Sequence, residues 1–211
     1  MKGREIPEKI KAAYDLLPYR FIALALPVVI AAVHIAISSV ILPPRDVVTL
    51  LGLMVAYLLP PAGKETVIPL GIAFGIPWWY MALSIALIDI ETGLFMALNF
   101  DVAYRIPFFG SRLSDLTEKT QQFLNDHRWI TGLWFFAIVL MVMVPVLGSG
   151  GIRGSVAGKL LGMSNLLVFL AVIAGTLIGC FGIALGSDVV LAYLCISGII
   201  PVEAVQFVCR G

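Results

Sequence analysis

Apolar residues in this chain run in long blocks instead of alternating with polar ones. Phe21 to Leu42 is 22 residues without Asp, Glu, Lys or Arg. At about 1.5 Å per residue it reaches roughly 33 Å, enough to cross the hydrocarbon of a bilayer. Pro43-Pro44 ends it. Pro77 to Phe100 is a second block of spanning length, and Trp78, Trp79 and Tyr80 open it as residues at a membrane interface do. Between them lie two shorter apolar runs, Val47 to Leu59 and Val67 to Gly75. The stretch Pro60-Pro61-Ala62-Gly63-Lys64-Glu65 separates these runs, and its Pro and Gly residues break a helix. A short run, a charged break and another short run predict a re-entrant hairpin near 47–75. Such interrupted backbone survives at membrane depth only inside protein or beside a wet cavity.

The pattern then recurs. Ile130 to Leu147 is apolar, with Pro145 near its end, and Gly148 to Lys159 is rich in glycine and carries Arg153 and Lys159. A second hairpin is predicted near 130–162, followed by an apolar span to Leu185, a break at Ser187-Asp188, and a last span over 189–208. Gly63, Gly71 and Gly75 map onto Gly150, Gly158 and Gly162 with one offset of 87 residues. Corresponding breaks in two halves are the sequence pointer to a transporter-like inverted repeat. The expected breaking residues are Pro60, Gly63, Pro69 and Gly71 in the first half, and Gly150, Gly154 and Gly158 in the second. Spaced by four, the latter glycines also suit plain close packing of helices.

Two polar stretches remain. In residues 1–20, Ile6, Ile10, Ala13, Leu16 and Leu17 recur at helical spacing among basic residues, which fits a surface-lying amphipathic helix or a solvated leader. Residues 101–129 form a mildly basic amphipathic linker. The expected fold is therefore an all-α polytopic membrane bundle of about four full spans and two opposed re-entrant hairpins. Its parts are an N-terminal segment 1–20, a first half 21–100, the linker 101–129 and a second half 130–211. Basic residues favour the cytoplasmic side, so the N-terminus and the linker are expected inside the cell membrane. The rival topology lets 130–147 cross fully and puts the C-terminus outside.

Composition agrees. Of 211 residues 60% are hydrophobic and 13% charged, about half the charge of a soluble domain. A net charge of +1 without a basic face argues against a nucleic-acid partner. Cys180, Cys195 and Cys209 have no metal spacing and are expected as small packing residues. Neither a metal nor a cofactor is expected. Nor is an enzyme: Gly148-Ser149-Gly150 lacks the order of an intramembrane serine protease, and His34, alone in its span, suits a structural hydrogen bond. The bilayer and a small-molecule or lipid substrate are the expected partners, with a homo-oligomer enclosing what one small bundle cannot.

Charges change the picture most. One in hydrocarbon costs upward of about 2.5 kcal/mol, so it normally faces a partner or a wet cavity. Glu65, Asp89 and Arg153 are the expected transport or proton site, with Lys64, Glu91 and Lys159 as secondary candidates. Opposed hairpin tips would bring Glu65 to Arg153, which lies 88 residues further along. Desolvation favours the neutral form of a carboxylate and lets it exchange protons near neutral pH, as proton-coupled transport requires. An arginine near a helix start favours an anion such as a phosphate. A purely structural ion pair between the hairpins is the plainer alternative. Asp89 and Glu91, two apart on one helix, face different ways; Asp89 lies nearer the centre of its span.

Lys64-Glu65-Thr66-Val67-Ile68-Pro69-Leu70-Gly71 resembles the "E…IPLG" segment of the putative small multidrug export protein family. Pro145, Gly148, Gly150, Gly154, Ala157 and Gly162 resemble that family's second, glycine-rich motif. The resemblance implies membrane transport, here proton-coupled export of a small or amphiphilic solute. The layout is also similar to the DedA group of membrane proteins. That likeness implies a flippase of phosphate-bearing lipid carriers with Glu65, Asp89 and Arg153 as its site. The single arginine of the second break departs from the DedA pattern. A non-transporting membrane scaffold is the third reading.

Overall fold

The computed structural model describes residues 17–59, 62–99, 128–144 and 150–197, and every described element is helical. In chain order these are α1 (Leu17–Ile41), α2 (Pro44–Leu58), α3 (Lys64–Ala73), α4 (Trp78–Asn99), α5 (Arg128–Met143), α6 (Gly150–Leu160) and α7 (Asn165–Ile196). Most of the segment 1–20, residues 101–127 of the linker, Pro60 and the expected last span beyond Ser197 lie outside the described residues.

Among the described residues three helices are long and apolar enough to cross a membrane: α1 over Leu24–Ile41, α4 over Trp78–Met96, and α7. Four full spans were expected. Helix α5, expected as half of a hairpin, has 16 residues, roughly 24 Å, short of a hydrocarbon core of about 30 Å. The last two spans were expected to part at Ser187-Asp188, but α7 runs unbroken through that pair for 32 residues. Each of these two polar residues lowers helix propensity by only some tenths of a kcal/mol, and neither is a Pro or a Gly.

The remaining boundaries follow local chemistry. Pro44 sits in the first turn of α2, where its missing N–H is harmless. The α2 residues Leu50, Leu53, Met54 and Tyr57 are buried at helical spacing, giving α2 one inward face. The α3–α4 turn contains Gly75 at φ 98 and the α6–α7 turn Gly162 at φ 71, a region that favours glycine. Both turns close with the same pair of bonds. Gly75 N–H donates to the Ile72 carbonyl and Ile76 N–H to that of Gly71; Gly162 N–H donates to Lys159 and Met163 N–H to Gly158. Each bond recurs 87 residues later. Helices α4 and α7 also begin 87 residues apart.

Helices α4 and α7 form the centre. Gly93 lies against Val172 and Asp89 bonds Thr176, so the two run antiparallel. One apolar cluster joins α2, α3 and α4 with Cys180 and Ala184 of α7. The other joins Ile138, Val139 and Val142 of α5 to Met163, Val168, Ala171 and Val172. Helix α1 is peripheral. Its buried His34 stacks on Tyr80 at 6.0 Å, and Ser38 Oγ lies 2.7 Å from the Tyr80 hydroxyl. Most of its other side chains are exposed apolar groups.

Two expectations need correction here. Pro69, Gly71, Gly154 and Gly158 lie inside α3 and α6 and not in breaks; only Gly63 and Gly150 stand at helix starts. Cys195 is disulfide-bonded and so is not a lone packing cysteine, whereas Cys180 is free and buried. Disulfide pairing depends on which chain segments meet in space, and residue spacing does not encode that.

Candidate functional site

Two short helices start beside one carboxylate. Asp89, in the middle of α4, has no solvent exposure. Its Oδ1 accepts the Tyr57 hydroxyl at 2.6 Å and the Gly151 N–H at 3.2 Å. Its Oδ2 accepts the Thr176 hydroxyl at 3.3 Å and faces the Lys64 ammonium at 4.0 Å. Tyr57 comes from the end of α2, Lys64 from the start of α3, Gly151 from the start of α6, and Thr176 from α7. An amide at a helix start carries the positive end of the helix dipole, which favours the ionised carboxylate.

Lys64 is 2% exposed, and its ammonium also donates to the Val142 carbonyl near the end of α5. Carbonyls in the last turn lack helical partners and form the dipole's negative end. The two buried charges therefore sit in opposite fields: the carboxylate at a helix start, the ammonium at a helix end. Breaking such a pair by removing one partner costs about 3–5 kcal/mol.

Backbone contact is unusually close at Gly151. A Cβ there would lie 1.9 Å from the Asp89 carbonyl oxygen, so only glycine lets α6 approach α4 and reach its carboxylate. Cys180, one turn beyond Thr176 on α7, completes the surroundings of Lys64 and Asp89. Among the described residues no group of three or more His, Cys, Asp or Glu is arranged to hold a metal.

A family model described as a putative small multi-drug export protein matches residues 65–181, more than half of the chain. The chain belongs to that family. Comparisons with curated proteins and with solved structures returned no match. The match takes in Asp89, Gly151 and Thr176; Tyr57 and Lys64 precede it.

Within this small multidrug export family member, the expected site residues separate. Asp89 is the centre, and its partner is Lys64, first counted as a secondary candidate. Glu65 and Arg153 form no ion pair with each other among the described residues. A Cβ on Gly63 would meet the Glu65 carboxylate oxygens at 2.2 and 2.3 Å, so Glu65 folds back over the start of its own helix, where the dipole favours it. Neighbours in a helix point about 100° apart, and here Lys64 takes the inward direction. Arg153 is half-buried in α6. Glu91 is buried on another side of α4 from Asp89. Lys159, at the end of α6, donates to Asn165. Tyr57, Gly151 and Thr176 were not anticipated. Two of them had a signal: Gly151 is Lys64 plus 87, and Thr176 is Asp89 plus 87.

Proposed function

We propose that the chain is an integral membrane transporter, and not an enzyme, that exports a small or amphiphilic solute against proton entry at the Asp89–Lys64 pair. The observation that carries this reading is the fully buried Asp89–Lys64 pair where α3 and α6 begin. A stable fold has little use for a desolvated ion pair, which apolar residues would often replace without loss. Interrupted helices meeting around charged groups are what transporters use to hold ions and cargo at mid-membrane. The family's description points the same way.

In this reading α2–α3 and α5–α6 are re-entrant hairpins entering from opposite leaflets, and the halves are an inverted repeat. The antiparallel α4–α7 pair, offset by 87 residues, supports the inversion. The N-terminus lies inside, which puts the far end of α7 outside in the cell membrane. The disulfide at Cys195 suits that side, because disulfides persist in oxidising compartments. In each cycle the Asp89 carboxylate parts from Lys64 and pairs with it again.

A DedA-like flippase of phosphate-bearing lipids draws support from one feature, the Gly151 amide aimed at an anion. Proteoliposomes separate the readings. With a pH gradient imposed, accumulation of amphiphilic dyes should exceed that without a gradient, and Asp89→Asn should remove the excess. Equal accumulation with and without the gradient sinks the proton-coupled reading. Flipping of a labelled lipid phosphate with no dye transport would favour the flippase.

A further inference from the structure

Resting on the exporter reading, we propose that the Lys64 ammonium occupies a built cation site and that the transported or coupling species is a compact monovalent cation that takes its place. The surroundings of the ammonium are those a cation needs. Asp89 Oδ2 lies 4.0 Å away, and the Val142 carbonyl near the end of α5 accepts from it. A Cβ added to Gly179 would come within 2.8 Å of the Met143 carbonyl oxygen and 3.2 Å of Lys64 Nζ. Glycine there therefore leaves the ammonium room beside the last carbonyls of α5. One carboxylate oxygen and carbonyls at a helix end form the donor set that broken helices offer to sodium ions and ammonium groups.

Meanwhile Asp89 Oδ1 is held by Tyr57 and Gly151. The carboxylate thus stays oriented whichever cation faces Oδ2. Lys64 reaches the site on a flexible four-carbon stem, so its head can withdraw while α3 stays in place. Among the described residues, the titratable groups beside the pair are Tyr57 on α2, which bonds Asp89, and Cys180 on α7.

Charge balance defines the exchange. The resting site holds one ammonium and one carboxylate and is neutral. A cation entering beside Asp89 would leave a net positive charge in a dry site, a state resolved when Lys64 gives its proton to water and withdraws as the amine. One N–H bond breaks, the proton leaves as hydronium, and the new cation pairs with Asp89. The outcome is one cation bound per proton released, an electroneutral exchange. When the cation leaves, Lys64 takes a proton back.

Purified full-length protein tests this in two ways. In weakly buffered solution, adding sodium chloride or methylammonium chloride to the wild type should release about one proton per chain. N-methylglucamine chloride at equal ionic strength should release none, and neither should Lys64→Arg. In Lys64→Ala, with the site vacated, sodium or methylammonium should raise the unfolding midpoint by several degrees over N-methylglucamine. The double variant Lys64→Ala/Asp89→Asn should show no such rise. Whichever cation acts in both assays is the occupant: sodium marks an inorganic coupling ion, methylammonium the head of an amine cargo. No proton release from the wild type with either cation overturns the proposal, even if Lys64→Ala does not fold. Should that occur while Asp89→Asn still abolishes gradient-driven dye transport, only the cation site falls. If both fail, the exporter reading falls with it.

Discussion

The two short helices α3 and α6 end in the same kind of turn and differ in the chemistry around their starts. The break between α2 and α3 delivers side chains: Tyr57, the ammonium of Lys64, and the Glu65 carboxylate folded over Gly63. The break between α5 and α6 delivers backbone: the Val142 carbonyl and the Gly151 amide. At corresponding positions Lys64 stands against Gly151, and Asp89 against Thr176. Each half thus supplies what the other lacks. A lysine at 151 would collide with α4, and a glycine at 64 would leave Asp89 without its cation. Among the described residues this division leaves one charge pair, Lys64 with Asp89, between α3 and α4.

The sharpest way to break this comparison is at Gly151. Gly151→Val should prevent α6 from docking on α4, because even a Cβ would lie 1.9 Å from the Asp89 carbonyl oxygen. Loss of folded, monodisperse protein in detergent is expected. By contrast Gly182→Ala, where nothing lies within 4 Å, should change the unfolding midpoint little. Comparable midpoints for the two variants would mean that α6 does not approach α4 as described.

Next in size is the charge pair. Lys64→Met alone should destabilise by about 3–5 kcal/mol, by leaving a buried carboxylate uncompensated. Adding Asp89→Asn should recover most of that loss, as read from a double-mutant cycle of detergent unfolding. Additive losses would mean that the two groups do not interact. A smaller effect is expected of Tyr57→Phe, which removes one hydrogen bond to an ionised group, worth about 1.5–3 kcal/mol. The corresponding Thr176→Val should cost less, since its bond is the longer at 3.3 Å against 2.6 Å. A reversed ranking would show that Oδ2 and not Oδ1 anchors the carboxylate.

The smallest effect is expected of Glu65→Gln and Arg153→Gln. Neither residue supplies any of the contacts described above at Asp89, and each should lower the unfolding free energy by less than Thr176→Val does. If either change abolished gradient-driven transport while Lys64→Met spared it, the pair first expected from the sequence would be the working one.

Much of this was readable in the residues themselves. Uninterrupted apolar blocks located α1, α4 and the first part of α7, because length and hydrophobicity together specify a spanning helix, whereas the break expected at Ser187-Asp188 is absent. The Pro and Gly clusters located the breaks, and the glycine offset of 87 anticipated the matching turns at Gly75 and Gly162. Asp89 stood out as a charge deep in an apolar run. Which neighbour faced it did not, since Lys64 and Glu65 are adjacent and a shift of one residue in the start of α3 exchanges them. That start is decided by Gly63 and Thr66, whose hydroxyl accepts the Gly63 N–H at 3.2 Å.

Sequence alone therefore determined the membrane class, the interrupted layout and one buried acid, since these depend on composition and on spacing along a single chain. Tertiary structure decided the partners of that acid. Tyr57, Lys64, Gly151 and Thr176 come from four helices up to 119 residues apart in the chain, and two of the contributions around the pair are backbone groups, which look alike at every position until packing selects one.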